Sequence, residues 1–182
     1  MKVVTLKDGR LVKIRKLVKG DTEALKRFNS NLSEKSRYNF IPHSYDDKTI
    51  EKLIARNEKG EDILLITEYE NEIVGYSFLW YAKKRVALLG IGIVDKFQGL
   101  GLGRKTMQIL IEIGWNEGLE GIELSTPIDN DRAYKLYEKV GFKYIKNVET
   151  ILGDGSVRIE KCMFLPLKKN AQPMNEPHKS PV

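Results

Sequence analysis

The chain has 182 residues, 41% of them hydrophobic, which is enough for one folded domain with a substantial core. No apolar run is long enough to span a bilayer and no secretory hydrophobic region follows Met1, so we expect no membrane partner. The single cysteine, Cys162, excludes an internal disulfide and fits a reducing, cytoplasmic location. With only two histidines beside it, no metal site is expected. The net charge of +6 fits an anionic partner, although solvated lysines explain it more simply.

The hydrophobic pattern predicts the elements in chain order, β α α β β β α β α β β, which is typical of a mixed α/β layered domain. We expect a single domain over residues 1–167. The polar tail, 168–182, holds three of the six prolines and is predicted to be disordered. Strands are predicted at 11–17, 63–69, 73–82, 86–94 and 121–126, and on both sides of a turn at 152–155. Helices are predicted to begin after Asp21, after Asp46 or Asp47, after the glycines at 99–103 and after Asn130.

The stretch FQGLGLGRKTM, residues 97–107, places three alternating glycines between an apolar strand and an amphipathic helix. It matches neither the Walker A loop nor the dinucleotide-binding G-x-G-x-x-G pattern. A helix start offers unpaired N–H groups and partial positive charge, and glycines let backbone approach an anion closely. Arg104 and Lys105 oppose the helix dipole unless an anion is bound there. The placement therefore predicts an anion site; the alternative is a tight turn with solvated basic residues.

Two further glycines, Gly90 and Gly92, interrupt the apolar strand before this loop. A glycine inside a strand often marks a bulge or the close approach of a ligand. A bulge here would separate the strand from its parallel neighbour and expose backbone groups. Packing of the glycines against a helix explains the pattern equally well.

The glycine loop resembles the acyl-CoA loop of the GCN5-related N-acetyltransferase (GNAT) family, whose pattern is Q/R-x-x-G-x-G/A. Here the pattern runs from Gln98 to Gly103. The N-terminal segments TLKDGRLVKIRKL and LSEKSRY also resemble the start of Pat-type protein-lysine acetyltransferase domains. The GNAT resemblance covers about residues 63–144, since the family's downstream pattern is present as Asn130, Ala133, Leu136-Tyr137 and Gly141-Phe142.

The resemblance implies a mixed central sheet of about seven strands flanked by about four helices, with splayed central parallel strands. It implies acetyl-CoA as cosubstrate, no metal, and Tyr137 as the general acid that protonates the departing CoA thiolate; a core tyrosine is the alternative. Asn130 would contact the cofactor or merely cap its helix. The family often forms homodimers. The cofactor-binding residues implied by the resemblance are Ile91, Ile93, Val94, Gln98, Gly99, Leu100, Gly101, Leu102, Gly103, Arg104, Asn130 and Tyr137.

The general base is the weak point of the resemblance. Many members carry a glutamate on the strand before the loop, but Leu88 stands there, which also counts against the Pat-type assignment. A lysine amine is neutral in only about one molecule in several thousand at pH 7, a handicap of roughly 4–5 kcal/mol. Either a neighbouring acid acts through water, or water and backbone carbonyls accept the proton. The neighbouring acids are Glu68, Glu70, Glu123 and Asp129, each of which reads more simply as a solvated carboxylate.

Four other residues are considered as possible members of the active site. His43 follows a proline in a loop that can line the acceptor side, although a lone loop histidine is usually at the surface. Trp80 and Tyr81 either shape the acceptor pocket or pack in the core. Cys162 reads as a small buried residue and not as a nucleophile.

These residues predict an N-acetyltransferase that moves acetyl from acetyl-CoA to a primary amine, by direct attack in a ternary complex. The acceptor is a protein lysine, a protein N-terminus or a small-molecule amine. The alternatives are transfer of another acyl group, or a CoA-binding module without useful catalysis. A nucleic-acid partner is not favoured, because the basic residues are scattered among acids without interleaved aromatics.

Overall fold

The computed structural model describes residues 1–182 as one eight-stranded mixed sheet with helices packed on it. The strand order is β1-β2-β3-β4-β5-β6-β8-β7, and only β5 and β6 are parallel neighbours. The elements are β1 (Lys2–Thr5), β2 (Leu11–Lys16), α1 (Thr22–Ser30), α2 (Glu34–Asn39), α3 (Asp47–Glu58), β3 (Ile63–Tyr69), β4 (Glu72–Trp80), β5 (Val86–Ile93), α4 (Leu102–Asn116), β6 (Gly121–Pro127), α5 (Asp131–Val140), β7 (Lys143–Ile151) and β8 (Val157–Pro166).

The fold class predicted from the sequence is confirmed, with one more strand and one more helix than the approximate numbers. The extra strand, β1, is an edge strand of four residues paired with β2. The extra helix, α2, has six residues and buries none of them. It is held at its N-terminal end: Ser33 caps it by accepting from the Ser36 N–H, and the Asp95 carboxylate accepts from both serine hydroxyls. Such short elements depend on tertiary contacts, so their local sequence signal is weak.

The two parallel strands part soon after they meet. β5 pairs with β6 only from Val86 to Leu88, opposite Gly121 to Glu123. Beyond that point β5 stays with β4 as far as Ile93, while β6 stays with β8. The predicted splay is therefore present, and it opens a gap in the middle of the sheet.

A bulge is not its cause. The pairing of β4 with β5 is regular across Gly90 and Gly92. A Cβ on Gly90 would collide with the Phe78 ring, and one on Gly92 with the Phe40 ring. The packing explanation is therefore correct, except that the partners are aromatic rings of β4 and of the segment after α2, not a helix.

Buried polar side chains tie the elements together where the chain turns. Asn57 of α3 donates from Nδ2 to the Leu17 carbonyl at 3.0 Å and accepts from the Leu64 N–H at 2.9 Å. The fully buried Asp62 carboxylate accepts from Arg56 and from the Tyr81 N–H. None of the helices is both long enough and apolar enough to cross a membrane.

The tail differs from the disordered segment expected for 168–182. His178 is buried, and its backbone pairs with the edge of β7 through the Glu149 carbonyl at 3.0 Å and the Ile151 N–H at 2.8 Å. The Tyr81 hydroxyl donates to the Lys179 carbonyl at 3.0 Å. The composition predicted disorder because the tail has few apolar residues. The tail is instead bound by the open edge of β7 and by buried polar groups that are distant in the sequence, which composition does not reveal.

Candidate active site

The glycine loop connects β5 to α4 through a turn that requires glycine at two positions. Gly99 and Gly101 have φ angles of +78° and +86°, a left-handed conformation that other residues adopt only with strain. Gly101 is the N-cap of α4, where it offers no capping side chain. The first turn of α4 contains no acidic residue, and Arg104 and Lys105 are exposed there.

The loop leaves an uninterrupted row of free donors. The six backbone N–H groups from Gly99 to Arg104 have no acceptor within the protein. Their positive ends, the helix dipole and two basic side chains all favour negative charge at this position. The arrangement fits the diphosphate of a cofactor, whose oxygens need several donors at once.

The loop is braced from outside. The Gln98 amide donates from Nε2 to the Ile93 carbonyl at 2.9 Å and to the Ser36 hydroxyl at 3.0 Å. Its Oε1 accepts from Arg132 of α5 at 3.2 Å. The Leu100 carbonyl accepts from the Lys7 N–H at 3.1 Å. Gln98 therefore fixes the loop through its side chain.

Beside the loop, the splay leaves one edge of β5 without a strand partner. Ile91 and Ile93 are half-buried here, and they lie opposite Ser77 and Gly75 of β4, on the other edge. Val94 is buried, and its N–H donates to the Val74 carbonyl at 3.0 Å. An extended ligand lying in the gap would therefore meet backbone of β5 that is already ordered by β4.

A pocket occupies the gap between the two strands. About half of its lining is aromatic or aliphatic and much of the rest is polar or charged, and two residues of the tail close one side. The residues that line it include Phe40, Phe78, Trp80, Leu88, Leu89, Gly90, Ser125, Thr150, Arg158, Glu160, His178 and Lys179.

Tyr137 lies on α5 with 8% of its surface exposed. Burial, and secondarily the negative charge of Glu160, raise the pKa of its phenol above the ordinary value. The hydroxyl is therefore kept protonated, the state that a proton donor needs. Asn130 caps the same helix, accepting from the Ala133 N–H at 3.3 Å, so the capping explanation of this residue holds.

Glu160 was missed from the sequence. It is only 4% exposed, lines the pocket and is held by Arg158, whose Nε donates to Oε1 at 3.0 Å, and by Thr150, which donates to Oε2 at 3.1 Å. The signal was an inverted alternation in β8: Val157 and Ile159 point outward with 61% and 47% exposure, while the polar residues between and after them point inward. Buried polar residues opposite exposed apolar ones are uncommon in strands.

The acids proposed from the sequence are committed elsewhere. Glu68 forms an ion pair with Arg15, and Glu70 occupies the turn between β3 and β4. Glu123 is the register partner of Leu88 but is fully buried, with its Oε2 2.7 Å from His178 Nε2. Asp129 is exposed before α5.

The remaining candidates divide between core and pocket. His43 is buried; its Nε2 lies 3.1 Å from the Tyr76 hydroxyl and its Nδ1 2.7 Å from the Ser44 carbonyl, and burial lowers its pKa to about 4. Trp80 lines the pocket, stacked on Phe78 at 3.7 Å. Cys162 is buried, as expected, and burial raises the pKa of its thiol.

The chain is similar in sequence to known acetyltransferases. The model of the acetyltransferase (GNAT) family matches residues 26–142. N-alpha-acetyltransferase 30 of Schizosaccharomyces pombe is 35% identical over 52 residues, which are 29% of this chain and 35% of that protein. The chain thus matches about a third of the length of this curated relative.

Two solved structures share the fold. The GNAT domain of S. lividans PAT has a TM-score of 0.77 at 17% identity, covering 91% of this chain and 96% of that one. The yncA protein of Salmonella typhimurium, solved with its cofactor acetyl-CoA, has a TM-score of 0.69 at 18% identity, covering 90% and 98%.

The buried, neutral His43 predicts a pH-dependent stability. Its pKa is about 4 when folded and about 6.5 when unfolded, so the unfolded chain takes up a proton as the pH falls through 6.5 and the folded chain does not. Stability should therefore fall by about 1 kcal/mol between about pH 7.5 and 5.5 because of this residue. Urea unfolding at both pH values, in the wild type and in His43→Gln, measures it. An equal pH dependence in both proteins would contradict the assignment.

Proposed function

The chain belongs to the acetyltransferase (GNAT) family, and we propose that it transfers the acetyl group of acetyl-CoA to a primary amine by direct attack in a ternary complex. The observation that carries the proposal is the row of six free N–H groups from Gly99 to Arg104, which lies next to the gap between β5 and β6. A diphosphate held by the row would direct an extended pantetheine arm along the free edge of β5.

The cofactor contacts follow from this orientation. The diphosphate is bound by backbone groups of the loop, and Arg104 adds a full positive charge beside it. The pantetheine amides pair with backbone of the free edge as an added strand does. Asn130 fixes the start of α5, which carries Tyr137. Among the residues that the resemblance implies for the cofactor, Val94, Gln98 and Asn130 are bonded within the protein and would support the site indirectly. The proposed direct contacts are Ile91, Ile93, Gly99, Leu100, Gly101, Leu102, Gly103, Arg104 and Tyr137.

The chemistry is nucleophilic attack on a thioester. The nitrogen lone pair of a neutral amine forms the C–N bond, and negative charge develops on the carbonyl oxygen, where a β5 backbone N–H can stabilise it. The C–S bond then breaks, and Tyr137 donates its proton to the leaving thiolate. Burial keeps the Tyr137 phenol protonated until this step.

The amine must first lose a proton, and Glu160 is placed to help. Its carboxylate lines the pocket; one oxygen is ion-paired with Arg158, and the other, which accepts from Thr150, would take the proton directly or through water. Arg158 and Thr150 hold the carboxylate in position. Glu160 on β8 would thus take the role of the glutamate that many family members carry on β5, where this chain has Leu88. Peptide N-termini are the first acceptors to test, because of the S. pombe relative's name, followed by lysine peptides and small amines.

The anion site is tested by Gly101→Glu. The variant places a carboxylate among the six donors, so acetyl-CoA affinity measured by calorimetry should fall by about a hundredfold or more. Gly118→Glu is the matched control: Gly118 also has a positive φ, +80°, and has open space around its Cβ, but it follows the other end of α4. Equal affinities in the two variants, or no binding by the wild type, would contradict the assignment.

Tyr137→Phe tests the general acid. The turnover number should fall by about 10²-fold, while acetyl-CoA affinity changes little, because only the hydroxyl is removed. Tyr134→Phe, one turn earlier on α5 and half-buried, should retain wild-type turnover. A protein that binds acetyl-CoA but acetylates none of the three acceptor classes would instead be a CoA-binding module.

Glu160→Gln tests the proton acceptor. The amide keeps the shape and can still contact Arg158 and Thr150, but it cannot take up the proton. We expect turnover at neutral pH to fall by about 10²-fold and to recover as the pH rises toward the amine's own pKa. A Glu160→Gln enzyme with the wild-type pH–rate profile would remove Glu160 from this role.

A further inference from the structure

Three ligand-type side chains meet under the C-terminal tail. They are Glu123 of β6, Cys162 of β8 and His178 of the tail, and we refer to them as the tail cluster. Their exposed fractions are 0%, 0% and 2%. One ligand atom from each lies within 4.8 Å of the other two. The small numbers of cysteines and histidines predicted no metal site. Those numbers do not include a carboxylate, which here supplies the third potential ligand.

The distances within the tail cluster suit coordination of one ion. Glu123 Oε2 is 2.7 Å from His178 Nε2, and Cys162 Sγ is 3.7 Å from the carboxylate oxygen and 3.8 Å from the nitrogen. By the cosine rule, an ion at zinc bond lengths of about 2.0–2.3 Å would see these atoms at angles of about 80° to 125°. The two angles that include sulfur lie above the tetrahedral value and the oxygen–nitrogen angle lies below it, so the carboxylate and the imidazole would move slightly apart around the ion.

The carboxylate has a supporting contact of the kind found around metal ligands. The second carboxylate oxygen of Glu123 accepts the Met174 N–H, which holds the carboxylate in place. His178 Nδ1 has no hydrogen-bond partner in the protein, so the ring is oriented by the tail cluster and by the backbone pairing of the tail with β7. Lys146, the nearby basic residue, directs its ammonium to the Met174 carbonyl at 3.3 Å and not to the carboxylate.

Charge also favours an ion. A fully buried carboxylate is costly unless a cation compensates it. A divalent ion bound by Glu123 carboxylate, Cys162 thiolate and neutral His178 gives a site of zero net charge, and its formation releases one proton, from the thiol, to solvent. Without an ion, the Cys162 thiol and His178 would both share the same carboxylate oxygen of Glu123 by hydrogen bonds.

We propose that the tail cluster binds one Zn²⁺ through Glu123 Oε2, Cys162 Sγ and His178 Nε2. Thiolate and imidazole ligands select zinc over magnesium or calcium. The ion is structural: it fastens the tail to β6 and β8 and so fixes His178 and Lys179, which form one side of the pocket. The site does not depend on the proposed transferase reaction.

Cobalt substitution tests the site, because Cys162 is the only cysteine. Co²⁺ titrated into the full chain, freed of metal, should produce a thiolate-to-cobalt charge-transfer band that saturates at one ion per chain. Zn²⁺ should displace the cobalt, and Zn²⁺ should raise the melting temperature. The band should be absent in Cys162→Ser, and zinc affinity in a competition with a chromophoric chelator should fall by about a hundredfold or more in His178→Gln.

His43→Gln is the matched control, since it removes the other histidine, which lies outside the tail cluster. It should bind zinc as the wild type does. Circular dichroism checks that each variant is folded; His178→Gln alters only the tail and should leave the sheet intact. A wild type without the charge-transfer band, or variants that bind zinc as tightly as the wild type, would overturn the proposal and leave a buried Glu123–His178 hydrogen bond.

Discussion

The parting of β5 from β6 after three paired positions is the constraint on which the rest of the site depends. Two parallel strands that stayed paired would satisfy each other's backbone and leave no entry into the sheet. Because each strand instead keeps its outer partner, β4 or β8, both remain ordered while the inner edge of β5 stays open. The site is therefore rigid before any ligand arrives, which lowers the entropic cost of binding.

Aromatic packing keeps the gap from collapsing. Gly90 and Gly92 let the Phe78 and Phe40 rings lie directly against the β5 backbone, where any side chain would collide with them. Phe78 in turn stacks on Trp80. The turn after β7 closes the other side: the Gly153 N–H donates to the Ile41 carbonyl at 2.8 Å, and its Cα lies too close to the His43 backbone for a side chain. The glycines of this protein thus serve close packing in the sheet as well as the left-handed turn of the loop before α4.

Local patterns predicted the features that local residues determine. The central strand β5, the glycine loop and the apolar face of α5 with Tyr137 can each be recognised within a window of about fifteen residues. The order of these elements along the chain predicts a mixed sheet. Features that depend on contacts between residues distant in the sequence were not predicted. α2 exists because Asp95 bonds to its serines. The tail packs because β7 offers an edge and because the buried Glu123 carboxylate accepts hydrogen bonds from the tail. The only sequence signal for Glu160 is the alternation of apolar and polar residues along β8, and that alternation identifies a buried acid only when the inward-facing side of the strand is known.

The position of the acid illustrates why a motif alone does not define this kind of site. Leu88 and Glu123 are register partners on adjacent strands, so an acid lies one strand away from the position where the resemblance expected it. That carboxylate is unsuited to receive a proton from a substrate, because the tail and Cys162 enclose it completely. Glu160, one strand further on, combines burial with access to the pocket. In this chain the carboxylate that lines the gap comes from β8, two strands away in the sheet from the β5 position where the resemblance expected it.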